Sequence, residues 1–300
     1  MPLGMAFSNL PMNTFSCKLN MAGFVWRFDA PLPLEVPDRF QQFCADHPED
    51  CSYSFSLGHP TEDADAVLVQ SEHPRVLRLA DSLLVERLPV TAAAPCACTR
   101  ICDADPLHVT GWIYPEAADY FRTLDNLLDA ANLEHMLTAL GAVSLHSSFI
   151  THCGQAILFS APSGTGKSTQ AALWERYAGA EQINGDRSVI RCVDGVWTAF
   201  GFPFAGSSGI YKNKSAPIRA IVVLRQAKDN TIERLGASEA FRLLYSETAI
   251  QRWNTQGHAA AVDLLIRLSA AVPVYRLCCT PDARAVALLQ QTLSSQEDSP

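Results

Sequence analysis

The stretch ILFSAPSGTGKSTQAALW, residues 157–174, constrains this chain more than any other. An apolar segment, Ala156–Ser160, reads as a buried strand, and the residues after Lys167 read as an amphipathic helix. Between them lies a loop of small residues. Such residues let consecutive backbone N–H groups turn toward one point, and a helix N-terminus behind them adds partial positive charge. Together they make a cradle for phosphate. Lys167 brings mobile positive charge to outer phosphates, and the adjacent Ser168 offers a hydroxyl suited to magnesium. Ser163, Gly164, Thr165, Gly166, Lys167, Ser168 and Thr169 are therefore the expected nucleotide contacts, with Lys167 on the surface of a cleft. At the start of the loop Ala161 stands where glycine is usual, which the geometry tolerates only if its φ is negative.

The rest of the chain sets bounds. Its 300 residues suit one large or two modest domains, and 48% apolar with 18% charged residues is an ordinary globular balance. A net charge of −8 argues against a general nucleic-acid or anionic-membrane surface. No apolar run reaches the roughly 18 residues of a spanning helix. The first residues carry no basic segment followed by an apolar one, so a cytoplasmic location with reduced thiols is expected for the ten cysteines. Cys96, Cys98, Cys102 and the Cys278–Cys279 pair lack the spacing of a structural zinc site, and no metal ligand is assigned to them.

Along the chain, residues 1–13 read as an unanchored lead-in and 14–115 as a small, mostly antiparallel β domain. Its first strands form a hairpin with a turn at Asn20–Gly23. Residues 116–293 read as a mixed α/β unit. It opens with two helices broken near Asn132, and later helices are expected at 238–247, 258–270 and 282–293. The tail, 294–300, is expected to be disordered.

Three further segments bear on chemistry. In AEQINGDRSVI, Asp186 closes a short segment and opens a strand. Magnesium is a hard cation that takes carboxylate, phosphate and water oxygens, so one carboxylate facing the loop hydroxyl is a sufficient protein set. The bland alternative is a turn aspartate after glycine. In LHSSFITHCGQAILFS, His146 lies on the strand that feeds the loop, where a core role is as natural as proton transfer. In FGFPFAGSSGIYKNK, Ser207, Ser208 and Lys212 offer donors to an acceptor or to a terminal phosphate. The same loop reads equally as a flexible crossing with solvated lysines.

Taken together, residues 142–209 resemble the HPr serine kinase/phosphorylase superfamily, related to ATP-dependent phosphoenolpyruvate carboxykinase. The resemblance implies an α/β fold in which a mixed sheet, not a doubly wound parallel one, carries the P-loop. It implies ATP and Mg2+ as cofactors and transfer of a γ-phosphoryl group to a hydroxyl. Ser163–Thr169 match the family's phosphate loop, and His146 matches a histidine near the catalytic carboxylate. Asp186 falls in an Asp-Asp position whose first member is here Gly185. The catalytic set is then Lys167, Asp186 and His146, with Ser168 and Asp186 as metal ligands. The expected function is an ATP-dependent phosphotransferase acting on a small protein, peptide or metabolite, with no nucleic-acid or membrane partner. Assembly as a homo-oligomer stays open. The alternative is a non-catalytic ATP-binding sensor or accessory protein, and an ATPase or carboxykinase-like lyase ranks below both.

Overall fold

A computed structural model of the protein describes residues 15–61, 66–70, 74–88 and 94–295. The expected lead-in 1–13 and the tail from 296 lie outside the described residues. Ala22 and Gly23 both adopt positive φ, at 58° and 76°. That pair of left-handed residues makes the tight turn joining β1 (Phe15–Met21) to β2 (Phe24–Ala30). The same sheet holds β3 (Cys51–Leu57), β4 (Val67–Gln70), β5 (Arg75–Arg78), β6 (Ser82–Arg87), β7 (Ala97–Cys102) and β8 (His108–Ile113). Its order is β1-β2-β3-β8-β7-β6-β5-β4. Strands β4 to β8 pair antiparallel, as the alternating sequence suggests. The centre does not: β3 runs parallel to both β2 and β8. A crossover through residues 31–50 returns the chain parallel to β2, and β8, much later in the chain, pairs along the other side of β3.

Cys96 and Cys98 are core residues at the start of β7, where burial pushes their thiols up to about 11 and about 12. All ten cysteines are free. After a 3-10 turn at Pro115–Tyr120 come α1 (Leu124–Ala130) and α2 (Leu133–Ala139), separated at Asn132, whose φ is 54°. The chain divides into two compact units, and apart from 21–23 the boundary falls between Met136 and Leu137, not at 115/116.

The second unit is a mixed α/β structure built around two long strands. These are β9 (Ala142–His152) and, later in the chain, the 12-residue β14 (Ser215–Gln226). Between them lie β10 (Gln155–Ser160), α3 (Lys167–Ala178), β11 (Glu181–Asn184), β12 (Arg187–Val193) and β13 (Val196–Phe200). After β14 come β15 (Thr231–Arg234), α4 (Ala237–Glu247), α5 (Thr255–Ala271), β16 (Val274–Cys279) and α6 (Ala283–Ser294). The first half of β9 pairs with β12, and its second half pairs with β10 and β11. Strand β14 likewise joins β13 through its first residues, then runs parallel to β10 and β16. Each long strand thus pairs with three neighbours, more than a shorter one could reach.

Period-two alternation sends β10 side chains to opposite faces. Ala156 and Leu158 enter one core with Leu244, Leu264, Leu265 and Leu268 of α4 and α5. Ile157 and Phe159 enter the other, with Trp174 of α3 and Leu289 of α6. Helix α6 extends to Ser294, one residue beyond the expected end, and Asp282 caps it by accepting the N–H of Arg284. Among the described residues, no helix is long and apolar enough to cross a membrane.

Candidate functional site

The loop after β10 has the backbone its sequence demands. Gly164 and Gly166 adopt positive φ, 78° and 116°, which an L side chain resists. Ala161 is not among the residues with positive φ, and its methyl is fully buried against the core under α3, so alanine fits there. Ser163, Gly164, Ser168 and Thr169 are exposed, and Thr165 and Gly166 are half-buried. The loop therefore presents hydroxyls and backbone to solvent at the N-terminal end of a 12-residue helix.

Lys167 departs from expectation. It is only 7% exposed, and its ammonium donates to the carbonyls of Ala161 (2.8 Å) and Pro162 (3.5 Å). Helical spacing explains this: Lys167, Gln170, Ala171 and Trp174 form the buried stripe of α3. Burial pulls the ammonium below the usual lysine range, while the carboxylates of Glu247 and then Asp186 pull it back up. The lysine is thus in electrostatic reach of both acids.

Asp186 sits in the turn between β11 and β12. Asn184, 1% exposed, holds that turn with its whole side chain. Its carbonyl oxygen accepts the N–H groups of Asp186 and Arg187 at 2.8 and 2.9 Å. Its amide donates to the carbonyls of Phe202 and Phe204 at 2.7 and 3.0 Å. The Asp186 carbonyl accepts the N–H of Ser147 on β9, at 3.0 Å. Asp186 therefore stands beside His146, with Nε2 to Oδ1 at 3.8 Å, and Arg187 Nε lies 3.5 Å from its other oxygen.

The loop at 205–209 closes over this turn. A Cβ on Gly185 would meet the Ser208 hydroxyl oxygen at 2.0 Å, and one on Gly206 would meet the Asp186 carboxyl at 2.7 Å. Ser208 itself donates to the carbonyl of Ala205 and accepts the N–H of Ile210. Ser207 is exposed. Lys212 and Lys214 both pair with Glu181 on β11, at 2.9 and 2.8 Å. Ser208 is thus brought to the Asp186 turn, whereas the Lys212 ammonium is held by Glu181.

One residue escaped the sequence reading. Glu247, the last residue of α4, puts Oε2 3.3 Å from Nδ1 of His146. Its place is fixed by backbone: Thr248 bridges to Leu145, and the N–H of Ala249 donates to Ser144 at 3.0 Å. The sequence carried one signal, a carboxylate at a helix C-terminus, where cations are favoured. His146, Asp186, Arg187, Glu247 and Thr248 line a cavity of about 320 Å³. A second cavity, of about 410 Å³, lies on the loop itself, lined by Gly164, Thr165, Thr169, Gln170, Leu224 and Cys279.

Comparison with known proteins gives three findings. No curated protein matches the chain. Among solved structures, the HPr(Ser) kinase/phosphatase from Coxiella burnetii aligns at 12% identity with a TM-score of 0.30, covering 51% of this chain and 89% of that one. The family described as SynChlorMet cassette protein ScmC matches residues 129–293, more than half of the chain. The matched span takes in β9, the glycine-bent loop before α3, the Asp186 turn and the end of α4, and by that match the chain belongs to the ScmC family.

Proposed function

We propose that this protein is an ATP-dependent phosphotransferase, with a P-loop domain of HPr-kinase-like fold, that moves a γ-phosphoryl group to a hydroxyl. The observation that carries the reading is the His146 ring set between Asp186 and Glu247, in the same unit as the glycine-bent loop and its buried Lys167. The N–H groups of 163–169 and the Lys167 ammonium hold the β- and γ-phosphates, which requires Lys167 to exchange loop carbonyls for phosphate oxygens. The cavity at Gln170, Leu224 and Cys279 takes the nucleoside, and the one at His146 and Glu247 takes the acceptor.

The residues present fit magnesium. Ser168 supplies an exposed hydroxyl beside Lys167, and Asp186 supplies a part-exposed carboxylate. Among the described residues no group of three or more His, Cys, Asp or Glu could hold a metal alone, which suits an ion that completes its shell with phosphate and water. When bound, the ion neutralises charge on the phosphates. His146 takes the acceptor's proton. The acceptor is a small protein, peptide or metabolite bearing a hydroxyl, and the protein works in the cytoplasm.

The experiment uses isotope-labelled ATP with magnesium, candidate hydroxyl acceptors, and water as the simplest acceptor. Magnesium-dependent transfer or hydrolysis is expected. Tight ATP binding with no turnover on any acceptor would favour a nucleotide sensor, a reading consistent with the single acid left at the 185–186 turn.

A further inference from the structure

The turn that carries Asp186 has room for no second acid, because Ser208 occupies the space beside Gly185. A carboxylate comes instead from the opposite wall. Glu247 is placed at some cost: its side chain is 15% exposed, at a helix end that disfavours negative charge. Among the described residues its ion-pair partner is His146. Rules of local stability broken in one place, beside a phosphate-type loop, mark a residue kept for what it does.

The two faces of the His146 ring are unequal. Nδ1 lies 3.3 Å from Glu247, within hydrogen-bonding distance, and Nε2 lies 3.8 Å from Asp186, beyond it. Arg187, the cross-strand partner of His146, draws toward Asp186 at 3.5 Å. We infer that Glu247 is a positioning residue. It accepts a hydrogen bond from Nδ1–H of His146, fixes that tautomer and ring orientation, and leaves the Nε2 lone pair toward the acceptor cavity. The inference rests on the phosphotransferase reading and deepens it. In the step it serves, the acceptor oxygen bonds to the γ-phosphorus as the β,γ-bridging P–O bond breaks and ADP leaves. The acceptor's proton passes to Nε2, and the imidazolium so formed is balanced by Glu247. His146, 35% exposed, then returns the proton to water.

The test combines 15N spectroscopy of the His146 ring with turnover. Spectra of the full-length protein, assigned with His146→Gln and taken at alkaline pH where a free imidazole is neutral, should show Nδ1 protonated and Nε2 bare. Glu247→Ala should lose that tautomer and reduce magnesium-dependent ATP turnover at least tenfold, with magnesium–ATP affinity unchanged. In Glu247→Gln the amide oxygen still accepts from Nδ1, so both the tautomer and part of the lost turnover should return. A ring protonated at Nε2, alone or together with Nδ1, overturns the inference. So does a Glu247→Ala variant that loses nucleotide affinity in proportion to its rate, because Glu247 would then act on the loop. An active wild type with the wrong tautomer sinks the role of Glu247 alone. A wild type with the expected tautomer and no turnover sinks the phosphotransferase reading, and the role with it.

Discussion

Gly185 shows how one residue decides what its neighbours can do. An acid there would drive its Cβ into the Ser208 hydroxyl, 2.0 Å away, so Gly185→Asp should not add a working carboxylate. It should destabilise the protein by about 1–3 kcal/mol, as overpacking does, and Ser208→Gly in the same chain should recover part of that loss. Urea unfolding of the two variants checks both claims, and a stable, more active Gly185→Asp would contradict them. Lys167 makes a second case. Its ammonium satisfies two loop carbonyls, so Lys167→Ala should lower ATP affinity at least tenfold and also cost about 1 kcal/mol of stability. Calorimetric titration with a thermal melt separates the two effects. Unchanged affinity in the folded variant would remove the phosphate-loop assignment. The motif announced the lysine but not its burial, because burial follows from Trp174 and Ala171 sharing its helix face.

Among elements, the site depends on which segments are tied together, and here the sequence was legible only in part. Strand β10, the loop and α3 could be read directly, because a change from period two to helical spacing around glycine is a local signal. The Asp186 turn was given a chemical role from the sequence, but what holds it in place was not foreseen. Asn184 holds it through four hydrogen bonds to residues up to 20 positions away, and nothing local foretells those partners. Asn184→Ala should therefore strand buried backbone groups and cost roughly 1–3 kcal/mol for each one left unpaired. It should also loosen Asp186, raising the magnesium concentration needed for turnover. A variant with altered stability but an unchanged magnesium requirement would show that Asp186 does not depend on the clamp. Helix α4 gives the opposite lesson. Its span was expected almost to the residue, yet Glu247 went unnoticed, because its meeting with β9 is made by Thr248 and Ala249 after the helix has ended.

At the scale of the whole molecule, alternation in the sequence revealed many of the strands, though not β7, β8, β11 or β15, and it did not reveal their order. The parallel placement of β3 and the threefold pairing of β9 and β14 come from long-range pairing, which local pattern does not encode. The units differ also in the titratable groups they bury, and this gives the last prediction. In the first unit His135 of α2 is 6% exposed, and burial pushes its imidazole down to about 4, a backbone hydrogen bond with Pro106 opposing only in part. Its unfolded value is near 6.5, so between about pH 6.5 and 4 the unfolded chain binds the proton that the folded one refuses. Stability is then full above that window and falls as pH drops through it, by roughly 3 kcal/mol in total at 1.36 kcal/mol per unit. Magnesium–ATP bound at the proposed site should stabilise residues around α3 by about 2.7 kcal/mol at a hundred times its dissociation constant. Hydrogen exchange, corrected for intrinsic rates and followed peptide by peptide, resolves the two effects. Lowering the pH from 7 to 5 should speed exchange around 124–139, and His135→Asn, which keeps a donor but cannot titrate, should remove most of that response. Nucleotide should slow exchange at 161–178. If His135→Asn leaves the acid response of 124–139 intact, another group drives it. If nucleotide protects no segment that includes the loop, ATP binds elsewhere or not at all.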